Sequence, residues 1–291
     1  MIDTLPNNLN QQTIKDSVTI SGIGLHSGKY VDLILEPAEE DSGINFIRSD
    51  LSKENKVLAI WSNVSNTVLS TTITNSYGVK VSTIEHLMSA LSGMHIDNIN
   101  ILINGPEVPI MDGSSKPFVE LIEKIGVECQ NKKRKILKVK KEILVSSENS
   151  FVKLSPNNQF SIDFEIDFKS SLVSKQSCQL QLINGNYVSD IASARTFGFE
   201  EDVDTLRSNG LALGGSLDNA VVVGKNKILN KEGLRFEDEF VRHKILDSIG
   251  DLYLAGSPIC AYFYGNKSGH YLNNQLLRQL FSDVSNYEYL D

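Results

Sequence analysis

The 291 residues of the chain allow two domains, each large enough for an apolar core of its own. Its 41% hydrophobic and 22% charged content is that of a soluble globular protein, and no apolar run approaches the roughly 18 residues that a membrane-spanning helix needs. A formal net charge of -8 argues against a general nucleic-acid binder and against an electrostatic hold on anionic membranes, so an anionic small molecule needs lysines of its own nearby.

The opening stretch, MIDTLPNNLNQQ, has neither a basic segment nor an apolar run; an irregular start without a signal peptide is expected. Residues 12–20 alternate polar and apolar, a glycine-rich turn SGIGLHSGKY follows, and alternation resumes over 31–35, which reads as a strand–turn–strand hairpin. His26 lies in that turn and reads as a histidine bonded to nearby backbone, since no sequence neighbour could share a metal with it. Residues 41–77 carry short runs rich in Thr, Val and Ser, including VLSTTIT, expected to form a small β insert or extra sheet.

In VSTIEHLMSALSGM, Ser82 followed by Glu85 matches a capping box, with the helix running to about Ser92 and Gly93 as its stop. Glu85 therefore has two readings, a cap or a chemical group, and His86 stands beside it. His95 reads as an ordinary loop residue. A strand over 98–103 leads into a loop stiffened by Pro106 and Pro109, in which Asp112 braces an Asp-Gly turn. Ser114 or Ser115 is expected to cap a helix ending at Gly126.

Residues 131–141, NKKRKILKVKK, are the sharpest shift in composition and read as a solvated linker or strand face. The domain boundary is expected there, giving 1–130 and 131–291. The second half restarts with the strands KILKVKKEILV, SFVKLSP and QFSIDFEIDF. After SDIASARTFGF, residues 199–224 read as helix, glycine-rich turn and apolar strand, a βαβ-type insertion. Strands followed by helices in both halves give an α+β fold class: two domains, each a β-sheet layered against helices, with a β insert in the first and a βαβ-type insert in the second.

The stretch 240–256, FVRHKILDSIGDLYLAG, organises the chemistry. On a helix, His243 and Asp247 lie about 40° apart on one face, with Asp251 about 40° further round. Ile245, Leu246, Ile249, Leu252 and Tyr253 fall on the opposite side, and Gly250, beside the polar face, leaves room for something to approach. An imidazole and a carboxylate on adjacent turns can point at one divalent metal, although a surface His–Asp pair has the same spacing. PICAYFYGNKSGH then reads as a strand ending on a tight turn that presents Lys267 and His270, and a helix over LNNQLLRQLFSDV closes the chain.

Only five histidines exist, and three well-separated cysteines, Cys129, Cys178 and Cys260, offer no Cys-rich zinc site and suit a reducing compartment. His86, His243 and Asp247, with Glu85 as a carboxylate outside the ligand set, have the composition of a metal-assisted hydrolase site, and His270 is a spare imidazole able to act as general acid. Spacing alone does not bring these segments together.

The motifs TIEHLMSAL, NGPEVPIMDGSSKPFV, SARTFGF, LRFEDEFVRHKILDSIGDLYLAG and NKSGH, in this order, resemble the zinc-dependent UDP-3-O-acyl-N-acetylglucosamine deacetylases of lipid A biosynthesis. The resemblance runs from GIGLHSGK to LNNQLL, nearly the whole chain. It implies one catalytic zinc ion on His86, His243 and Asp247, with Glu85 as general base. It further implies that His270 protonates the leaving amine or stabilises charge, that Asp251 orients His270, and that Thr196 aims a hydroxyl at the developing oxyanion. Lys244 and Lys267 are implied as contacts to the polar part of a UDP-linked, acylated sugar, and Phe197 as a further substrate contact. The insert over 199–224 is implied as a tunnel for the acyl chain, with Val203, Leu206, Ala212, Leu217 and Val222 as wall positions. A cytoplasmic monomer with no nucleic-acid partner is expected. Two rival readings stay open: a zinc amidase of the same fold acting on a different acylated sugar, and a non-catalytic binding protein.

Overall fold

Alternating apolar residues lay down two main sheets in the computed structural model, which describes residues 10–182 and 185–290. The first nine residues, expected to be irregular and without a signal peptide, lie outside the described residues. In the first sheet the strand order is Val18–Ile23, Tyr30–Pro37, Ile99–Ile103, Ile44–Arg48 and Lys56–Leu58. Neighbours run antiparallel, except that Ile44–Arg48 lies parallel to Ile99–Ile103. The expected hairpin is its first two strands. Asn10–Ile14, grouped with the hairpin by its alternation, instead pairs antiparallel with Val127–Lys133, far away in sequence. Within 41–77, only Val64–Asn66 and Thr72–Thr74 leave the main sheet; with Lys80–Val81 they make a separate three-stranded sheet, the β insert.

The seven-stranded second sheet is centred on Ile259–Asn266. Ser150–Pro156 and then Ile143–Ser147 lie antiparallel on one side; Ser161–Asp167 lies parallel on the other, followed by Lys175–Gln181. The near end of the central strand pairs with Ile136–Val139, which pairs in turn with Tyr287–Leu290. The strict alternation in Ser161–Asp167 buries Ile162, Phe164 and Ile166 and leaves Ser161, Asp163 and Glu165 toward solvent. The basic run is thus strand rather than linker: residues 131–133 finish one strand and Ile136–Val139 starts another. Its lysines face outward, Lys132 pairing with Asp41 and Lys140 with Glu288. Phe197–Phe199 and Val221–Val223 form the expected βαβ unit, two parallel strands joined through a helix.

Six α-helices complete the described residues: α1 (Glu85–Gly93), α2 (Lys116–Ile125), α3 (Asn186–Asp190), α4 (Val203–Ser208), α5 (Glu239–Tyr253) and α6 (His270–Phe281). Helix α5 packs on Ser161–Asp167 and Lys175–Gln181 on one side and on α1 and α6 on others, while α6 covers Ile143–Ser147 and Ser150–Pro156. Leu35 and Ile101 of the first sheet, Leu87 of α1, Leu246 of α5 and Phe263 of the second sheet join one continuous core. Each such buried side chain contributes about 1.5–3 kcal/mol through removal from water. The fold is α+β.

Helix starts depart from the sequence rules. Helix α1 begins at Glu85 itself, with Ile84 in the cap position and no side-chain cap, so the Ser82–Glu85 capping box does not form. Thr83 takes a left-handed φ of 57°, which turns Ser82 away; its hydroxyl donates to the Pro106 carbonyl instead. Ser115 does sit at the start of α2, yet its hydroxyl donates to the His86 carbonyl at 2.8 Å rather than capping its own helix. Helix α6 starts at His270, placing that residue on a helix end rather than in the preceding turn.

Helix α5 is buried all round. Its expected apolar side is in the core, and His243, Asp247 and Asp251 are buried too, because α1 lies against the polar face. Gly250 is what lets α1 in: a Cβ there would stand 2.0 Å from the Glu85 carbonyl oxygen and 3.1 Å from the Ser89 nitrogen. Both obstacles are helix backbone, which cannot yield locally. Gly250→Ala gains about 0.5–1 kcal/mol of helix propensity but forces overpacking, which costs about 1–3 kcal/mol. Net destabilisation is expected, read as a lower urea midpoint; an unchanged or raised midpoint contradicts this account of the helix contact.

Candidate active site

Where α1 meets α5, His86 and two residues of the longer helix converge. Their ligating atoms, from His86, His243 and Asp247, all lie within 4.8 Å of one another, and all three residues are buried. Asp247 Oδ1 is 3.3 Å from His243 Nε2 and 3.5 Å from His86 Nε2. His243 Nδ1 is 3.1 Å from the Ala194 carbonyl, which takes the ring proton and leaves the Nε2 lone pair facing inward. Burial pushes the His243 imidazole down to about 3, so it is neutral, the form that ligates. Burial opposes the charge of Asp247, but its carboxyl is held well below the usual range, with the Lys244 ammonium the cation beside it. Lys244 Nζ donates to Asp247 Oδ2 at 2.7 Å, while buried Oδ1 makes no hydrogen bond within the protein. A buried carboxylate oxygen without a donor is costly on its own and is the group a cation satisfies. The donor set of two imidazoles and one carboxylate therefore fits a divalent metal.

Beside the triad stands a second constellation of ionisable groups. Glu85 is the first residue of α1; its Oε2 accepts the Thr71 N–H at 3.0 Å and its Oε1 lies 3.9 Å from His270 Nε2. Burial raises its pKa, with Asp247 and Asp251 adding to the rise and His270 and His86 opposing it. His270 Nδ1 meets Asp251 Oδ2 at 2.8 Å. Burial disfavours the imidazolium, but Asp251, and then Glu85 and Asp247, outweigh it and lift His270 to about 9. Asp251 also accepts from Asn273 Nδ2 at 2.9 Å and from the Thr71 hydroxyl at 2.6 Å.

These groups open onto a cleft of about 700 Å³. Thr196, Phe197, Leu206, Lys244 and Lys267 line it together with Glu85, His86, His243, Asp247 and His270, whereas Asp251 sits behind His270. Lys244 reaches the cleft already paired with Asp247, and Lys267, in a turn with φ of 51°, pairs with Asp167 at the rim at 2.5 Å. Phe197 packs edge-on to Phe240 and stands 6.4 Å from the His243 ring, so it buttresses a candidate ligand as well as facing the cleft. Thr196 is reached by the Asp-Gly turn: Gly113, at φ 85°, accepts the Thr196 N–H, and a Cβ on it would stand 2.2 Å from the Asn219 carbonyl. Asp112 braces that turn, accepting from Ser114 and pairing with Arg235.

Of the five expected wall positions, Leu206 alone lines this cleft. Val203, Ala212, Leu217 and Val222 sit elsewhere on the insert. Val222 has the opposite pleat to buried Val221 and Val223, Leu217 is exposed, and the Ala212 N–H is turned to His26 Nδ1. Phe168, Phe199, Leu25 and Leu69 also line the cleft. Sequence reasoning also passed over the Ala194 carbonyl, Asn273, Thr71 and the buried Arg195–Glu239 pair. Asn273 was within reach, since it follows His270 by three residues on one helix. Thr71 sits in a threonine-rich β run that carries no signal of its own.

A buried cluster of two imidazoles and one ionised carboxylate, flanked by a second carboxylate and imidazole in a cleft, has the composition of a metal-assisted hydrolase site on an α+β fold. Residues 11–282 match the family described as UDP-3-O-acyl N-acetylglycosamine deacetylase, and the chain belongs to that family. It is 45% identical over 280 residues to the UDP-3-O-acyl-N-acetylglucosamine deacetylase of Shewanella pealeana, covering 96% of this chain and 92% of that one. Its counterpart from Syntrophus aciditrophicus is 46% identical over 277 residues, covering 95% and 88%. The protein of the same name from Psychrobacter cryohalolentis is 45% identical over 282 residues, covering 96% and 88%.

If the triad holds the metal, the purified protein carries one divalent ion per chain and His243→Ala carries nearly none. The check is elemental analysis after dialysis against a weak chelator. Stoichiometry near one in the variant removes His243 from the ligand set.

Proposed function

We propose that this chain is a zinc-dependent hydrolase that removes the N-acetyl group from a UDP-3-O-acyl-N-acetylglucosamine and releases acetate, an early committed step of lipid A biosynthesis. In this reading residues 1–130 supply Glu85 and His86, residues 131–291 supply the remaining groups, and the protein works as a cytoplasmic monomer. His86, His243 and Asp247 hold the ion. Bound there, zinc supplies a Lewis acid that polarises the acetamide carbonyl and brings the pKa of water to about 7.

The observation that carries the reading is the pair facing the triad: Glu85 Oε1 and His270 Nε2, 3.9 Å apart, each fixed from behind by a separate partner. Glu85 accepts a proton from the attacking water. Its carboxyl is raised by burial toward the range in which a base works near neutral pH. As the C–N bond breaks, the His270 Nε2–H protonates the departing amine, and Asp251 keeps the ring oriented with Nδ1 inward. Thr196 stands at the cleft wall for the developing oxyanion. Lys244 and Lys267 give the acidic protein local positive charge for a diphosphate, and Phe197, Phe199 and Leu206 give the acyl arm an apolar wall.

Glu85→Gln keeps the side chain's size but cannot take a proton. The turnover number is expected to fall about 10²–10⁴-fold with metal content and melting temperature nearly unchanged. A Glu85→Gln enzyme with full metal and wild-type turnover ends this mechanism.

The pH profile tests His270. Its folded pKa, about 9, lies above its ordinary value, so the imidazolium is present at neutral pH and is lost as pH rises through about 9. The rate is expected to descend there, and the stability that the His270–Asp251 pair adds is full below about 6.5 and lost as pH rises from there to about 9. Asp251→Asn removes the nearest raising charge, so the descending limb moves to lower pH. A limb that stays in place in this variant belongs to another group.

A further inference from the structure

Thr71 lies between two strands of the β insert, 1% exposed, and makes three hydrogen bonds. Its N–H donates to Glu85 Oε2 at 3.0 Å, its hydroxyl donates to Asp251 Oδ1 at 2.6 Å, and its carbonyl accepts the Ile84 N–H at 3.4 Å. Asp251 Oδ2 meets His270 Nδ1, and His270 Nε2 faces Glu85 Oε1, so the four residues close a ring. The members come from four segments: the insert, α1, α5 and α6.

We propose that Thr71 is a positioning residue for hydrolysis, holding the base carboxylate and the carboxylate behind the acid imidazole in one register. This rests on the roles given above to Glu85, His270 and Asp251. With Oε2 of Glu85 held by backbone, only Oε1 is presented to the cleft. With Oδ1 of Asp251 held by the hydroxyl, Oδ2 is left for the imidazole and for the Asn273 amide, which donates to it at 2.9 Å. Both anchors belong to one residue, so a shift of one carboxylate relative to the other must break a bond to Thr71. The plainer account is that a buried hydroxyl has merely found an acceptor. That account costs stability when the hydroxyl goes, and leaves turnover per folded, metal-loaded molecule alone.

The experiment compares Thr71→Val, Thr71→Ala and Thr71→Ser, with Glu85→Gln and His270→Ala alongside. Valine preserves shape and the backbone N–H, and alanine removes the same donor in a smaller side chain, so failure of one to fold leaves the other. Per metal-loaded molecule, kcat is expected to fall about 10- to 100-fold in both, with KM within about twofold of wild type. Thr71→Ser, which keeps the donor, is expected to stay within about threefold of wild type. In an Asp251→Asn background the valine substitution should add less than about threefold, because its partner charge is already gone. In metal-free protein, the His270 Nδ1 proton held against Asp251 should give a downfield proton resonance that broadens in Thr71→Val.

Wild-type kcat in Thr71→Val or Thr71→Ala, an equal loss in Thr71→Ser, full multiplication in the Asp251→Asn background, or an unbroadened resonance would each overturn the positioning role. Glu85→Gln and His270→Ala at wild-type turnover would instead overturn the mechanism beneath it.

Discussion

Everything at the site depends on two helix backbones lying closer than side chains permit. Helix α1 rests on α5 at Gly250, where a methyl group would stand 2.0 Å from the Glu85 carbonyl. That carbonyl belongs to the same residue whose carboxylate faces His270. The contact that brings the helices together therefore also sets the height of Glu85 and His86 above His243 and Asp247. A separation only a few ångströms greater leaves two half-sites, neither with enough donors for an ion.

Bringing these groups together out of water is expensive, since each buried charge needs a partner. The structure meets that requirement with fixed partners on all sides. Lys244 lies on Asp247, Thr71 and Asn273 lie on Asp251, and the Ala194 carbonyl takes the ring proton of His243. The segment carrying Ala194 is itself clamped. The next residue, Arg195, is buried and pairs through Nε with buried Glu239 at 2.8 Å, and its N–H donates to the same oxygen. Glu239 opens α5, four residues before His243, so the clamp ties the start of the helix to the carbonyl that orients its first candidate ligand. Such pairs are weak arguments for stability and stronger ones for geometry.

What was legible in the sequence follows from range. The helix periodicity of α5 put His243 and Asp247 on one face because i,i+4 geometry is local, and Gly250 announced a close approach for the same reason. The alternation in Ser161–Asp167 and the turn after Ile23 were equally local. The failures lie where a distant partner decides. Glu85 had the spacing of a capping box, but a left-handed Thr83 and a bond from Thr71 gave its carboxylate other work. Asn10–Ile14 alternates like its neighbour, yet its partner is Val127–Lys133. Which side chains of the insert face the cleft is decided in the same non-local way. Pleat and loop direction decide which side chains face a cleft, and only Leu206 among the five does so. That His86 meets His243 came from family resemblance, because no periodicity links residues on separate helices.

The three carboxylates of the site obey one rule that none of these patterns contains. Asp247 has Oδ2 held by Lys244 and Oδ1 turned to the imidazoles. Glu85 has Oε2 held by the Thr71 N–H and Oε1 turned to His270. Asp251 has Oδ1 held by the Thr71 hydroxyl and Oδ2 turned to His270. A carboxylate anchored through one oxygen loses the freedom to rotate and presents the other in a single direction. Three such groups then differ in chemistry only by what their remaining oxygen meets. In the roles proposed above, the one facing His86 and His243 is the ligand, the one facing the cleft and His270 is the base, and the one facing a ring N–H is the counter-charge. In that proposal the anchors set the division of labour, and they come from a lysine one turn away, from Asn273 on α6 and from one threonine on an insert that shares no element with any of the three.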